Sequence, residues 1–218
     1  MRFRLKNISS VVRAYFEFYG IGDLRESDIY TSPESMVYLS QLFRSLQSVK
    51  ELELGTLCTE VLSVLEMKGW KIPPDSARLC LTLNAFNHEG SIPGILGILK
   101  SSPYLETLVI EGEDYINYDE EGDLITRDPA VAYLTNGNLD LILNHLKTIK
   151  INSFTESVDG QPMLTLVRLL LKSAKVLEKM IVKDSIKCSS PKDATYLAKI
   201  ASRLLTFPRA SPEAVVMF

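Results

Sequence analysis

Residues 91–112 read SIPGILGILKSSPYLETLVIEG, and two periodicities meet in this stretch. Ile92, Ile95, Leu96 and Leu99 recur three and four apart, the stripe of a helix with a buried side. Pro93 falls in the first turn of that helix, where a missing N–H is tolerated. After Pro103 the spacing changes. In LETLVI (105–110) Leu105 is followed by two residues, then Leu108, one residue and Ile110. Alternation with period two predicts a strand with one face buried.

The same strand pattern recurs along the chain as VKELEL (49–54), LKTIKI (146–151) and LEKMIV (177–182). ARLCLTL (77–83) is a variant through Leu79, Leu81 and Leu83, and VVRAYFEF (11–18) alternates through Ala14, Phe16 and Phe18. Segments with helical spacing lie between them. In MVYLSQLFRSLQ (36–47) the apolar positions are Met36, Leu39, Leu42, Phe43 and Leu46, and in CTEVLSVLEMKGW (58–70) they include Val61, Leu62, Val64 and Leu65. PMLTLVRLLLKSAK (162–175) is apolar nearly all round, which predicts the deeper burial. A last helix is expected from about Ser190 to Leu205, with Ser189 or Ser190 ahead of Pro191 as its cap.

Strand and helix thus alternate about six times. The marker residues Phe16, Leu52, Leu81, Leu108, Ile149 and Met180 are 36, 29, 27, 41 and 31 residues apart. A strand–helix unit of roughly 20–29 residues with insertions in its loops is the leucine-rich repeat. The fold class expected is therefore α/β: a leucine-rich-repeat solenoid, a curved parallel sheet with helices on the convex side. The competing α/β architecture, a doubly wound sheet with helices on both faces, needs continuous apolar strands. Glu51, Glu53, Thr107, Lys147, Lys150 and Lys179 interrupt these strands and favour a sheet solvated on one face.

Composition excludes several function classes. With 24 basic and 27 acidic residues the net charge is −3, which argues against nucleic acid or an anionic membrane as partner. No apolar run reaches the roughly 18–20 residues of a membrane span. The opening MRFRLKNISS has no apolar core behind it, so no secretory signal is expected, and the sequon at Asn7 is read as chance. Cys58, Cys80 and Cys188 are odd in number and far apart, which fits a reducing compartment, cytoplasmic or nuclear, and inert buried thiols.

The chain closes on LLTFPRASPEAVVMF (204–218), a proline-broken turn between apolar elements. Pro208 stops the preceding helix and biases Phe207 toward extended backbone. Ala214 to Phe218 can then lie beside LEKMIV and cover the open end of the solenoid.

Together SVKELELG (48–55), EVLSVLEMKGW (60–70), CLTLN (80–84), residues 91–112, NHLKTIKI (144–151), LVRLLLKSAKVLEKMIV (166–182) and LLTFPRAS (204–211) resemble the C-terminal part of plant F-box proteins with leucine-rich repeats and a terminal FBD domain. The resemblance implies irregular repeats over 1–136, with an acidic loop at 111–128, and an FBD domain over 137–218 that continues and caps the solenoid. It also implies a substrate-recognition region of an SCF-type ubiquitin ligase. The helical F-box that binds the Skp adaptor is not found in the chain, so adaptor and cullin are expected as partners only if an F-box is supplied elsewhere. A truncated fragment without ligase function is the alternative, and such a fragment would expose apolar surface and aggregate.

Sites for chemistry are sparse. NYDEEGDLITRD (117–128) resembles a calcium loop, with Asn117, Asp119 and Glu121 at ligand positions and Gly122 at the turn. Asp128 is too short for the usual bidentate glutamate, and a strand precedes the loop. A solvated acidic insertion accounts for the 41-residue spacing. His88 and His145 have no Cys or His at metal-like spacing. GILGILK (94–100) lacks phosphate-loop spacing, and no cofactor is expected. Trp70 is read as a packing anchor at a turn. An α/β enzyme would use Gly55, Asn84, Glu111, Asn152 and Asp184 at the strand ends, but these form no base–nucleophile pair. The expectation is a non-enzymatic protein-interaction module. Its candidate binding residues are Glu51, Glu53, Thr82, Thr107, Lys147, Lys150 and Lys179, acidic at the N-terminal end of the face and basic toward the C-terminal end.

Overall fold

The computed structural model describes residues 11–18, 32–86, 89–113, 143–154, 162–184 and 191–218. His88, Cys188, Ser189, Ser190, the basic opening with its sequon, the acidic insertion beyond residue 113 (the whole calcium-like stretch included) and the boundary at 136/137 lie outside the described residues.

The strands are β1 (Arg13–Phe16), β2 (Glu51–Leu54), β3 (Cys80–Phe86), β4 (Thr107–Glu113), β5 (Thr148–Phe154), β6 (Lys179–Asp184) and β7 (Val215–Met217). Helices α1 (Pro33–Ser45), α2 (Thr56–Met67), α3 (Ile92–Lys100), α4 (Pro162–Ser173) and α5 (Pro191–Thr206) lie between them. All seven strands form one open sheet in sequential order, and every described pairing is parallel. A sheet that grows in one direction by right-handed crossovers puts each helix on the same side. The doubly wound alternative reverses direction at a switch point, and this sheet does not.

Register follows the leucines. Ala14, Leu52, Leu81, Leu108, Ile149, Met180 and Val216 align across the sheet, and Phe16, Leu54, Leu83, Ile110, Ile151 and Val182 form the next inward row. From Leu52 to Val182 these side chains are buried almost completely, each worth about 1.5–3 kcal/mol over leaving it in water. A one-residue slip would turn both rows to solvent, so burial sets the register.

Strands β2 to β6 are each started by one repeated bond pattern. The carbonyl of Lys50 accepts from the N–H groups of both Leu79 and Cys80, that of Leu79 from Glu106 and Thr107, that of Glu106 from Lys147 and Thr148, and that of Lys147 from Glu178 and Lys179. One acceptor thus serves two donors at each of these steps, and the residue ahead of each of these strands occupies the same place in its unit.

The helices carry the expected apolar stripes, with one difference. Ser32 caps α1 by accepting from the Ser35 N–H at 3.2 Å. Residues 162–175 were expected to lie deepest, yet α4 shows a solvated stripe of Thr165, Arg168 and Lys172. It is α3 that is enclosed on all sides, buried from Ile92 to Leu99. The reason is close approach: Gly94 faces the Thr59 carbonyl and Ser63 of α2, and Gly97 faces Glu66. Without side chains at those two positions the helices can nearly touch.

The C-terminal signature is a set of ties. After α5, the Ala210 N–H donates to Leu171 O at 2.9 Å, the Ser211 hydroxyl to Leu177 O at 2.7 Å, and the Arg209 guanidinium to Ala214 O at 2.9 Å. The turn is thereby fastened to the end of α4 and the start of β6, and β7 then pairs with β6.

Candidate functional site

Side chains of the sheet alternate, so the residues between the buried rows share the uncovered face. Two rows cross it. Arg13, Glu51, Cys80, Thr107, Thr148, Lys179 and Val215 align in the first, and Tyr15, Glu53, Thr82, Val109, Lys150, Ile181 and Met217 in the second. All are half-buried or exposed. A shorter third row holds Asn84, Glu111 and Asn152.

Of the candidate residues, Glu51, Thr107 and Lys179 thus stand in one row and Glu53, Thr82 and Lys150 in its neighbour. Lys147 does not join them. It lies one residue before β5, opposite in parity to Thr148 and Lys150, and its ammonium meets the Glu106 carboxylate at 3.3 Å on the rim of the sheet. Sequence reasoning passed over Cys80, Val109 and Ile181 because it selected charged and hydroxyl types, and at β5 it took Lys147 in place of Thr148. Counting by twos from Lys150 and Lys179 reaches Thr148 and Ile181.

Cys80 calls for a correction. It was expected to be an inert core thiol, but its position in the first row puts it on the open face beside Glu51 and Thr107. Partial burial, reinforced by the Glu51 carboxylate, raises its pKa. Cys58 does lie in the core, where burial pushes its thiol up to about 12.

The electrostatics of the face are uneven. Arg13 Nε donates to Glu51 Oε2 at 2.6 Å, and this bond with its ion pair raises the pKa of the guanidinium. Asn152 Nδ2 donates to Glu111 Oε1 at 2.7 Å. Just beyond Asn152 the β5–β6 register shifts, and Ser153 takes φ 52°, the left-handed region. Lys150, Lys179 and Lys183 are exposed and have no carboxylate partner among the described residues.

The other singled-out residues have structural surroundings. Trp70 packs on the core 6.2 Å from the Phe43 ring, and its Nε1 donates to Ser40 Oγ at 3.2 Å. His145 Nδ1 lies 3.2 Å from Pro103 O, and its ring lies 4.9 Å from that of Tyr104. Asn84, Glu111 and Asn152 were expected after their strands but align within them, each two residues before the last residue of its strand, and the described residues bring no nucleophile–base pair to them. Among the described residues no cluster of three His, Cys, Asp or Glu side chains could hold a metal ion, and no helix is long and apolar enough to cross a membrane.

Two proteins of Arabidopsis thaliana are similar to the chain. One named as an F-box/LRR-repeat protein is 30% identical over 146 residues, 67% of this chain and 31% of that protein. Another named as an F-box protein is 24% identical over 183 residues, 82% of this chain and 52% of that protein. The chain therefore spans about a third of the first and about half of the second. No family model matches the chain, and no solved structure matches it significantly. Both likenesses support kinship with plant F-box/LRR-repeat proteins.

Proposed function

We propose that the chain is a non-enzymatic protein-recognition module, a leucine-rich-repeat solenoid ending in an FBD domain, whose open sheet face receives a protein partner. The observation that carries this reading is the face itself. Seven parallel strands in sequential order present two continuous rows of side chains that no described helix covers. Such an extended surface suits another protein rather than a small substrate. The likeness to F-box proteins supports a ubiquitin-ligase setting, in which the face presents a client and a Skp adaptor and cullin join through an F-box.

The test is affinity capture from plant extract, quantified by mass spectrometry, with three baits: the chain, the chain fused to an F-box, and the face variant Thr82→Arg/Thr107→Arg. Shared clients should appear with the first two and be lost from the third, and adaptor and cullin should need the F-box. Clients retained by a face variant of unchanged thermal stability would sink the proposal, as would the absence of any reproducible client.

A further inference from the structure

The C-terminal third of the open face differs from the rest. Lys179, Ile181 and Lys183 alternate along β6 and point the same way. Lys150 flanks Ile181 on one side and Met217 on the other. Val215 stands beside Lys179, and it and Met217 are 56% and 37% exposed. Strands are about 4.8 Å apart, and alternate residues on one strand about 6.6 Å. Three ammonium groups therefore ring a small aliphatic floor of Ile181, Met217 and Val215. The nearest carboxylate of the third row, Glu111, is engaged by Asn152. Glu178 and Glu213 lie ahead of β6 and β7, outside the two rows.

We propose that Lys150, Lys179 and Lys183, with Ile181, Val215 and Met217, form a docking cradle for an acidic segment of a partner protein that carries an aliphatic side chain between its carboxylates. This rests on the open-face reading above and names the chemistry of the partner. Ammonium groups with no carboxylate partner among the described residues, set on an apolar floor, complement carboxylates spaced around a methyl-bearing side chain. Nucleic acid fits less well. Its phosphates would meet Glu51, Glu53 and Glu111 on the same face, and the floor is aliphatic, with no aromatic ring for a base to stack on. The same carboxylates oppose an anionic membrane.

The test is selection of displayed random peptides, about a dozen residues long, on the full chain, followed by affinity measurement against variants. Enriched peptides should carry Asp or Glu on both sides of Leu, Ile, Val or Met. Their affinity should fall roughly tenfold or more on Lys150→Glu/Lys179→Glu/Lys183→Glu, and should weaken as salt is raised. The milder Lys→Gln triple variant should give a smaller loss in the same direction, which keeps the test valid if charge reversal disturbs folding. Peptides without carboxylates, peptides that bind the lysine variants unchanged, or no enrichment at all would overturn the proposal. Peptides that ignore the lysines but are lost on Thr82→Arg/Thr107→Arg would sink the cradle and leave the open-face reading standing. Insensitivity to both variants would sink both. Tighter binding of an oligothymidylate strand or of phosphatidylserine vesicles than of any selected peptide would replace the acidic protein segment with a polyanion.

Discussion

Arg78 Nη2 lies 2.7 Å from Asp75 Oδ2, and both side chains are only 1% exposed. The register makes this pair unusual. Two residues before their first residues, β2, β4, β5 and β6 have Val49, Leu105, Leu146 and Leu177, all buried, and at the matching place β3 is preceded by Arg78. An ion pair thus sits where the repeat otherwise buries an aliphatic side chain. Arg78 Nη1 donates to Ser102 Oγ at 2.9 Å, Asp75 Oδ1 accepts from the Ala77 N–H at 2.8 Å, and Arg78 Nε finds no hydrogen-bond partner among the described residues. Burial lowers the pKa of the guanidinium, opposed by Asp75.

A buried pair of this kind costs most when one member is removed. Arg78→Met should destabilise the chain by about 3–5 kcal/mol, because Asp75 is left charged and dry. Adding Asp75→Asn, which can still accept from the Ala77 N–H, should recover most of the loss. Urea titration of the two variants checks this, and a double variant no more stable than the single one would contradict it.

The α2–α3 contact should be intolerant of added volume. A Cβ at Gly94 would overlap the Thr59 carbonyl and Ser63, both part of α2. Alanine is the better helix former, yet Gly94→Ala should still cost roughly 1–3 kcal/mol through overpacking. Thermal melting reads the sign directly.

The terminal turn should hold β7 in place. Ser211→Ala leaves the Leu177 carbonyl without its hydroxyl partner inside the protein and should cost about 1–2 kcal/mol. Hydrogen exchange should speed up first at the Val215 N–H, which donates to Glu178 O at 2.9 Å. Uniform acceleration across β2–β5 instead would show that the turn matters to the whole sheet rather than to its last strand.

Alkaline pH should report on Cys58. Its folded pKa, raised from 9.0 to about 12 mainly by burial and further by Glu17, lies above that of the unfolded chain. Between those values only the unfolded chain releases the proton. The contribution is therefore complete below pH 9.0 and is lost as pH climbs toward about 12. Subtracting the pH dependence of Cys58→Ala from that of the native chain should isolate this slope. In the native protein Cys58 should also resist thiol reagents near neutral pH.

How much of this was legible depends on how local the cause is. Leu52, Leu81, Leu108, Ile149 and Met180, marked from alternation alone, align across five strands, because burial on a pleated strand has only two phases and a slip would expose all of them. The final strand was legible too, since Pro208 has to stop a helix whatever surrounds it. Lys147 was misplaced because a strand's first residue is decided by the bond pattern from the preceding unit, and composition does not show that.

The sequence by itself determined the alternation of strand and helix, the side of each strand that faces the core, and the turn that brings the chain back to a last strand. These follow from periodicity and proline geometry, which act within a few residues. Only the tertiary structure decided which residues become neighbours across the sheet. It enclosed α3 rather than α4, seated an ion pair in a leucine position, and gathered three lysines from two strands around Ile181. Apart from the ion pair, whose partners are three residues apart, each of these depends on contacts between residues more than 27 apart, and no local pattern carries that information.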